Sequence, residues 1–159
     1  MLNRYGERVH KVSIDASFTC PNRDGSLGIG GCTFCNNTSF SPNGREPAEV
    51  SQQIDAGKFI IRKRTGAKKY IAYFQAYTNT YAETELLQQQ YNKALAETDV
   101  IGLAVGTRPD CVAASVLDLL ASSQNRGHEV MLELGLTPAF AKTLERAHRG
   151  CGSVASGLT

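Results

Sequence analysis

Apolar residues recur along this chain with two spacings, about two and about 3.6, and the regular change between them predicts alternating strands and helices. Residues 9–16, VHKVSIDA, set Val9, Val12, Ile14 and Ala16 among polar neighbours and predict a first strand. A long loop follows to about Gly44, turned by Gly25, Gly28, Gly30 and Gly31. Pro47 suits the first turn of a helix over 47–64, with Val50, Ile54 and Ile61 on one side. Gly57 weakens that helix, while Gly66 after Arg62, Lys63 and Arg64 supplies its end. The aromatic-rich run 69–75, KYIAYFQ, predicts a second strand. Thr80 with Glu83 has the capping-box spacing, ahead of a helix that buries Leu87, Tyr91, Ala94 and Leu95. VIGLAVG, 100–106, reads as a covered third strand. Asp110 is expected to cap a third helix with Val112, Val116, Leu119 and Leu120 inward, ended by Asn125 and Gly127. EVMLELG, 129–135, is a fourth strand, and Thr137–Pro138 opens a fourth helix with Phe140, Leu144 and Ala147 inward and Gly150 as its stop.

Four βα units predict an α/β fold with a parallel sheet, either doubly wound or part of a barrel. Both arrangements place ligands at the carboxyl ends of the strands. The segments collected there are the loop after strand one, Gln75–Thr80, Thr107–Asp110 and Glu133–Thr137. The final nine residues, CGSVASGLT, suggest no element, and four strands leave an open edge, so a longer domain is expected.

Composition adds bounds. The 159 residues suit one domain, 1–159, burying roughly 70% of the extended-chain surface. A net charge of +2 gives no strong pull toward nucleic acid or anionic membrane. The start lacks the apolar stretch of a secretion signal, and no run reaches membrane-spanning length, so no membrane partner and a cytoplasmic setting are expected. The basic run RKRTGAKK, 62–69, reads as a solvated face, with RNA contact as the alternative.

Chemistry concentrates in the cysteines. There are five, an odd number, which favours thiols or metal ligation over a disulfide framework. Cys20, Cys32 and Cys35 fall within CPNRDGSLGIGGCTFC, whereas Cys111 and Cys151 stand far away. A structural zinc site wants a fourth ligand, which His10, Cys111 or Cys151 could supply only without characteristic spacing. Three thiolates alone suit an iron–sulfur cube with one open iron. On spacing alone, zinc, iron–sulfur and no metal all stay open. Glu133 sits between Leu132 and Leu134, where an unpaired carboxylate is costly; a ligand or Arg108 would satisfy it. Arg108 could pair with Asp110 or meet a carboxylate, and Gly135 could admit a ligand closely.

The run YGERVHKVSIDASFTCPNRDGSLGIGGCTFCNNTSFSP resembles the radical S-adenosylmethionine superfamily, in a bacterial branch related to the Elongator catalytic-subunit type. This branch widens the first cysteine interval to C-x11-C-x2-C. The similarity continues through YFQAYTNTY (73–81), VGTRPD (105–110), LELGL (132–136) and, weakly, HRG (148–150). The resemblance implies the first four units of a partial (β/α)6 TIM-type barrel, with Cys20, Cys32 and Cys35 on a [4Fe–4S] cluster. It implies S-adenosylmethionine as cofactor, with Gln75, Tyr77, Arg108, Asp110, Glu133 and Gly135 near it. It further implies a reducing electron donor and an unidentified substrate, with RNA as one candidate. The chain departs from the branch at Thr137, where Gln is expected, and at Cys151, where His is expected. A zinc-stabilised binding module and a structural α/β fragment without turnover are the alternatives.

Overall fold

A computed structural model describes residues 5–35, 48–135 and 145–148. Its elements are β1 (Val9–Ile14), α1 (Val50–Thr65), β2 (Lys69–Phe74), α2 (Thr84–Leu95), β3 (Val100–Thr107), α3 (Ala114–Asn125) and β4 (Glu129–Leu134). All strand pairs are parallel, in the order β1-β2-β3-β4. The alternating strands and helices of the sequence are therefore present, with strands one, two and four ending slightly earlier than expected. Pro47, the fourth helix outside 145–148 and Cys151 lie outside the described residues.

Strand alternation sorts the sheet into two unlike faces. Val12, Ile14, Ala72, Phe74, Leu103 and Val105 share one buried cluster with Val50 and Ile54 of α1, Leu87 and Tyr91 of α2, and Val116, Leu119 and Leu120 of α3. Phe74 and Tyr91 meet edge to face with ring centroids 5.1 Å apart. Burying such side chains contributes roughly 1.5–3 kcal/mol each. Val9, Ile71 and Ala104 form the second cluster, on the other face, with Tyr5, Tyr73, Ile101 and Met131 beside them and no residue of α1, α2 or α3. Three helices thus cover one face. A doubly wound sheet would reverse its strand order; the four described strands do not.

The face opposite α1, α2 and α3 is concave. Lys11 of β1 pairs with Glu133 of β4, although the two strands are three spacings apart, about 14 Å in a flat sheet. Side chains that leave the sheet nearly upright meet across that distance only if it curls around them. A register shift between Tyr70 and Ile71 against β3 contributes one irregularity.

Two expected caps are absent. Glu83 occupies the α2 N-cap and Ala113 the α3 N-cap, neither with a side-chain hydrogen bond. Thr80 instead bonds Thr107 Oγ1 and the Cys111 carbonyl, each at 2.6 Å. Asp110 lies in a 3₁₀ turn, Pro109–Cys111, and is taken by Arg108. Val112, expected on the inner side of the third helix, falls before it. Gly66 does end α1, at φ 69°, its N–H donating to the Arg62 carbonyl.

Gly57 has a packing reason. A Cβ there would lie 2.4 Å from Val12 Cγ1, so α1 approaches β1 through the missing side chain. Helix propensity alone says that Gly57→Ala should stabilise by about 1 kcal/mol. The stiff, β-branched Val12 reverses the sign. We expect Gly57→Ala to destabilise the chain by about 1–3 kcal/mol, read from the urea midpoint; a raised midpoint would show that the helix can move off the strand freely.

Candidate functional site

The loop after β1 is held from both ends. At its start Gln53 of α1 clamps the main chain of Asp15, accepting from its N–H at 2.9 Å and donating to its carbonyl at 2.7 Å. Farther along, the Cys20 carbonyl accepts from the amides of Arg23 and Asp24, and the Pro21 carbonyl from those of Leu27 and Gly28. Asp24 Oδ1 caps the Ser26 amide, and Asp24 bridges Ile29. The chain then reverses at Gly30 and Gly31, with φ of 85° and 95°, a region that suits glycine. Gly31 N–H donates to the Asn22 carbonyl. Eleven residues of separation are folded away by these bonds, bringing Cys32 back beside Cys20. Cys35 follows in a tight turn, its N–H 2.9 Å from the Cys32 carbonyl.

The three cysteines and Phe34 line a cavity of about 150 Å³, together with Tyr77 and Thr78 after β2, Thr107 and Arg108 at the end of β3, and Gly135 after β4. Hydrogen bonds tie these exits together. Thr78 N–H donates to the Thr19 carbonyl, Asn79 N–H and Nδ2 both donate to the Gly106 carbonyl, and Gly135 N–H donates to the Thr107 carbonyl. Tyr77 takes a left-handed φ of 64°, uncommon for a bulky residue, and the Arg23 guanidinium lies 4.9 Å from its ring centre.

Two side chains donate to cysteine sulfur. Arg108, only 5% exposed, forks onto Asp110 at 2.9 and 2.5 Å and aims Nη1 at Cys20 Sγ, 3.7 Å away. Burial works against its charge, but the bonds to Asp110 and Cys20 outweigh burial and hold the guanidinium above its ordinary range. Asn22, 1% exposed, places Nδ2 3.1 Å from Cys32 Sγ and 3.1 Å from the His148 carbonyl. Its Oδ1 has no partner among the described residues, at a cost of about 1–3 kcal/mol.

Of the residues expected from sequence, Cys20, Cys32, Cys35, Tyr77, Arg108 and Gly135 surround this cavity, while Gln75, Asp110 and Glu133 do not line it. Asp110 reaches it only through Arg108. Thr107 belongs to the rim segment Thr107–Asp110 expected from the sequence, whereas Asn22 was not singled out; it reads there as one more turn former, and nothing in its spacing marks it. Among the described residues, no three Cys, His, Asp or Glu side chains converge as a group that could hold a metal ion. The three cysteines line the cavity without converging on one point.

No protein-family model matches the chain. It is 47% identical over 150 residues to protein YhcC of Escherichia coli, matching 94% of this chain and 48% of that protein. It is 39% identical over 152 residues to the uncharacterized protein YtqA of Bacillus subtilis, matching 93% and 47%. An uncharacterized protein of Methanocaldococcus jannaschii is 34% identical over 155 residues, matching 92% and 45%. The chain spans about half the length of the curated relatives it matches.

Glu133 takes part in a separate group on the concave face, where its cation is Lys11 rather than Arg108. Lys11 Nζ also lies 4.3 Å from the Tyr73 ring centre. Burial first, and then Glu133, push the Tyr73 hydroxyl up to about 12. Lys11 is the main cause that lowers Glu133, with burial opposing and Tyr73 assisting. A carboxylate lowered in the fold binds fewer protons there than in the unfolded chain. Its stabilisation is therefore present above the unfolded range and is lost as pH falls through the lowered folded value. The side chains are 30% and 39% exposed, so solvent limits the effect to no more than about 1 kcal/mol. We expect Glu133→Gln to lose less stability than wild type on acidification below about pH 4. Parallel pH–stability curves in urea would remove Glu133 from the account.

Proposed function

We propose that this chain is the amino-terminal part of a radical S-adenosylmethionine enzyme whose [4Fe–4S] cluster is held by Cys20, Cys32 and Cys35. The observation that carries the reading is the shared cavity: three cysteines from one loop face residues from the exits of β2, β3 and β4. The unreversed strand order and the concave face opposite α1, α2 and α3 favour the first four units of a (β/α)6 barrel over a doubly wound sheet.

When bound, cluster and cofactor supply a 5′-deoxyadenosyl radical, by one-electron reductive cleavage of the sulfonium C5′–S bond. The residues of this chain bind and orient. The thiolates would each take one iron, leaving the fourth open. Arg108 and Asn22 donate to two of the sulfurs and offset part of their charge. Phe34 and Tyr77 bring apolar surface to the cavity, and Gly135 leaves its wall without a side chain. Gln75, Asp110 and Glu133 are proposed only as supports of the cofactor side, since none lines the cavity.

RNA stands as a candidate substrate through the resemblance alone. The basic run 62–69 spans the end of α1 and the start of β2, so parallel strands put it at the end of the sheet opposite the cavity. Lys69 is already paired there with Glu7. RNA held by that run would not present a base to the cysteines. No helix among the described residues is long and apolar enough to cross a membrane; cytoplasmic placement remains part of this proposal.

Anaerobic reconstitution with ferrous iron and sulfide tests the reading. We expect a brown protein with about four irons per chain, a severe loss in Cys20→Ala, Cys32→Ala or Cys35→Ala, and little change in Cys111→Ala. Adding dithionite and S-adenosylmethionine should release 5′-deoxyadenosine slowly, and Cys35→Ala should release none. Stoichiometric zinc without iron uptake would replace this reading with a zinc-stabilised module, and a loaded cluster that never cleaves the cofactor would reduce the chain to a structural role.

A further inference from the structure

The loop's least explained side chain is Asn22. Carboxamides prefer water unless all their bonds are made, yet this one is 1% exposed and leaves Oδ1 unsatisfied among the described residues. Both contacts that keep it there are made by the nitrogen: one to Cys32 Sγ, the other to the His148 main-chain carbonyl, each 3.1 Å. The orientation of the amide is determined by chemistry. Exchanging oxygen and nitrogen would point Oδ1 at the His148 carbonyl, acceptor against acceptor. The main chain of Asn22 is held as well, its carbonyl accepting from Gly31 N–H at 2.9 Å.

Those bonds link distant parts of the chain. Asn22 lies two residues after Cys20, and its side chain reaches both the second cysteine and residue 148. A second bond reinforces the link, from Thr33 N–H to the Ala147 carbonyl at 3.1 Å. The segment 145–148, which comes after β4, is thereby tied to the cysteine loop at two points on either side of Cys32.

We propose that Asn22 is a positioning residue that orients Cys32 toward the shared cavity, and that its N–H···S bond raises the reduction potential of the cluster bound there. This rests on the radical-enzyme reading. Reduction adds negative charge to cluster and thiolates, and a donor to sulfur stabilises that charge more after reduction than before. Arg108 acts similarly on Cys20 over a longer distance and with its charge already matched by Asp110. Asn22 is the shorter and neutral donor, so its removal alters the bond to sulfur without changing the net charge.

The test is a redox titration of the reconstituted chain, followed by electron paramagnetic resonance of the reduced cluster. Asn22→Ala should still bind iron, with the reduction equilibrium shifted about tenfold against the reduced form, about 59 mV lower for a one-electron couple. Asn22→Asp, similar in shape but with a carboxylate in place of the donor, should shift it further in the same direction. A purely structural role would change iron content or thermal stability and leave the potential of the loaded fraction alone; an unchanged potential in loaded Asn22→Ala overturns the proposal. Failure of the wild-type chain to load iron would instead defeat the functional reading beneath it. Should neither variant fold, hydrogen exchange in the wild-type chain decides: the Asn22 carboxamide protons should exchange slowly, held by sulfur and carbonyl, and exchange at the solvent rate would overturn the proposal.

Discussion

Parallel strands paired in sequence order put every strand exit on the same rim, and that constraint governs what the rest of the chain can do. Parallel neighbours cannot be joined by tight turns, so each exit is a loop whose polar main chain needs partners away from the ladder. Here each loop finds them on the next. The Thr19 carbonyl takes Thr78, the Gly106 carbonyl takes Asn79 twice, and the Thr107 carbonyl takes Gly135. Thr80 adds a side-chain bridge to Thr107 and the Cys111 carbonyl. The cavity beside the cysteines is enclosed by these bonds rather than by the buried core below it.

The two faces of the sheet solve different problems. Helices cover one face and bury its aromatic and branched residues. The other carries Lys11, Tyr73 and Glu133 across its concave surface, with Ala104 and two glycines of β3 between. Gly102 lets β4 approach, since a Cβ there would meet the Glu129 carbonyl at 2.1 Å. Small residues on the central strand let side chains from β1 and β4 meet above it. An inward-facing polar group of this kind belongs to a surface that other structure encloses or that a ligand occupies, which is the physical content of the barrel proposal.

Periodicity made the elements legible because burial imposes it on every residue of a strand or helix. Val12, Phe74, Leu87 and Val116 face where their spacing says. Caps were less legible: Thr80 and Asp110 have cap chemistry at a cap-like spacing, but both lie before the helices and are recruited by the rim, where Thr107, Cys111 and Arg108 offer partners. The cysteines were legible as a set through their types and isolation. Asn22 was not, since its role depends on Cys32 and His148, the latter 126 residues away. The sequence offered a ligand or Arg108 as the partner of Glu133 and missed Lys11 for a related reason. Both are near the exits of adjacent strands, but alternation turns Glu133 onto the concave face, where Lys11 reaches it from β1.

Charge balance around the cysteines narrows what they can hold. Arg108 is the one cation among the described residues that line the cavity, and its charge is matched by Asp110. The neutral Asn22 contributes a dipole and no charge. Three thiolates here would therefore find little compensation in the wall around them, and the cost of clustering them rises as water is excluded. The cluster proposed above would bring positive charge of its own. A metal-containing group would supply the balancing charge, whereas a small neutral ligand would not. On that proposal Arg108 and Asn22 would each donate to a ligated sulfur, one from the exit of β3 and one from within the loop.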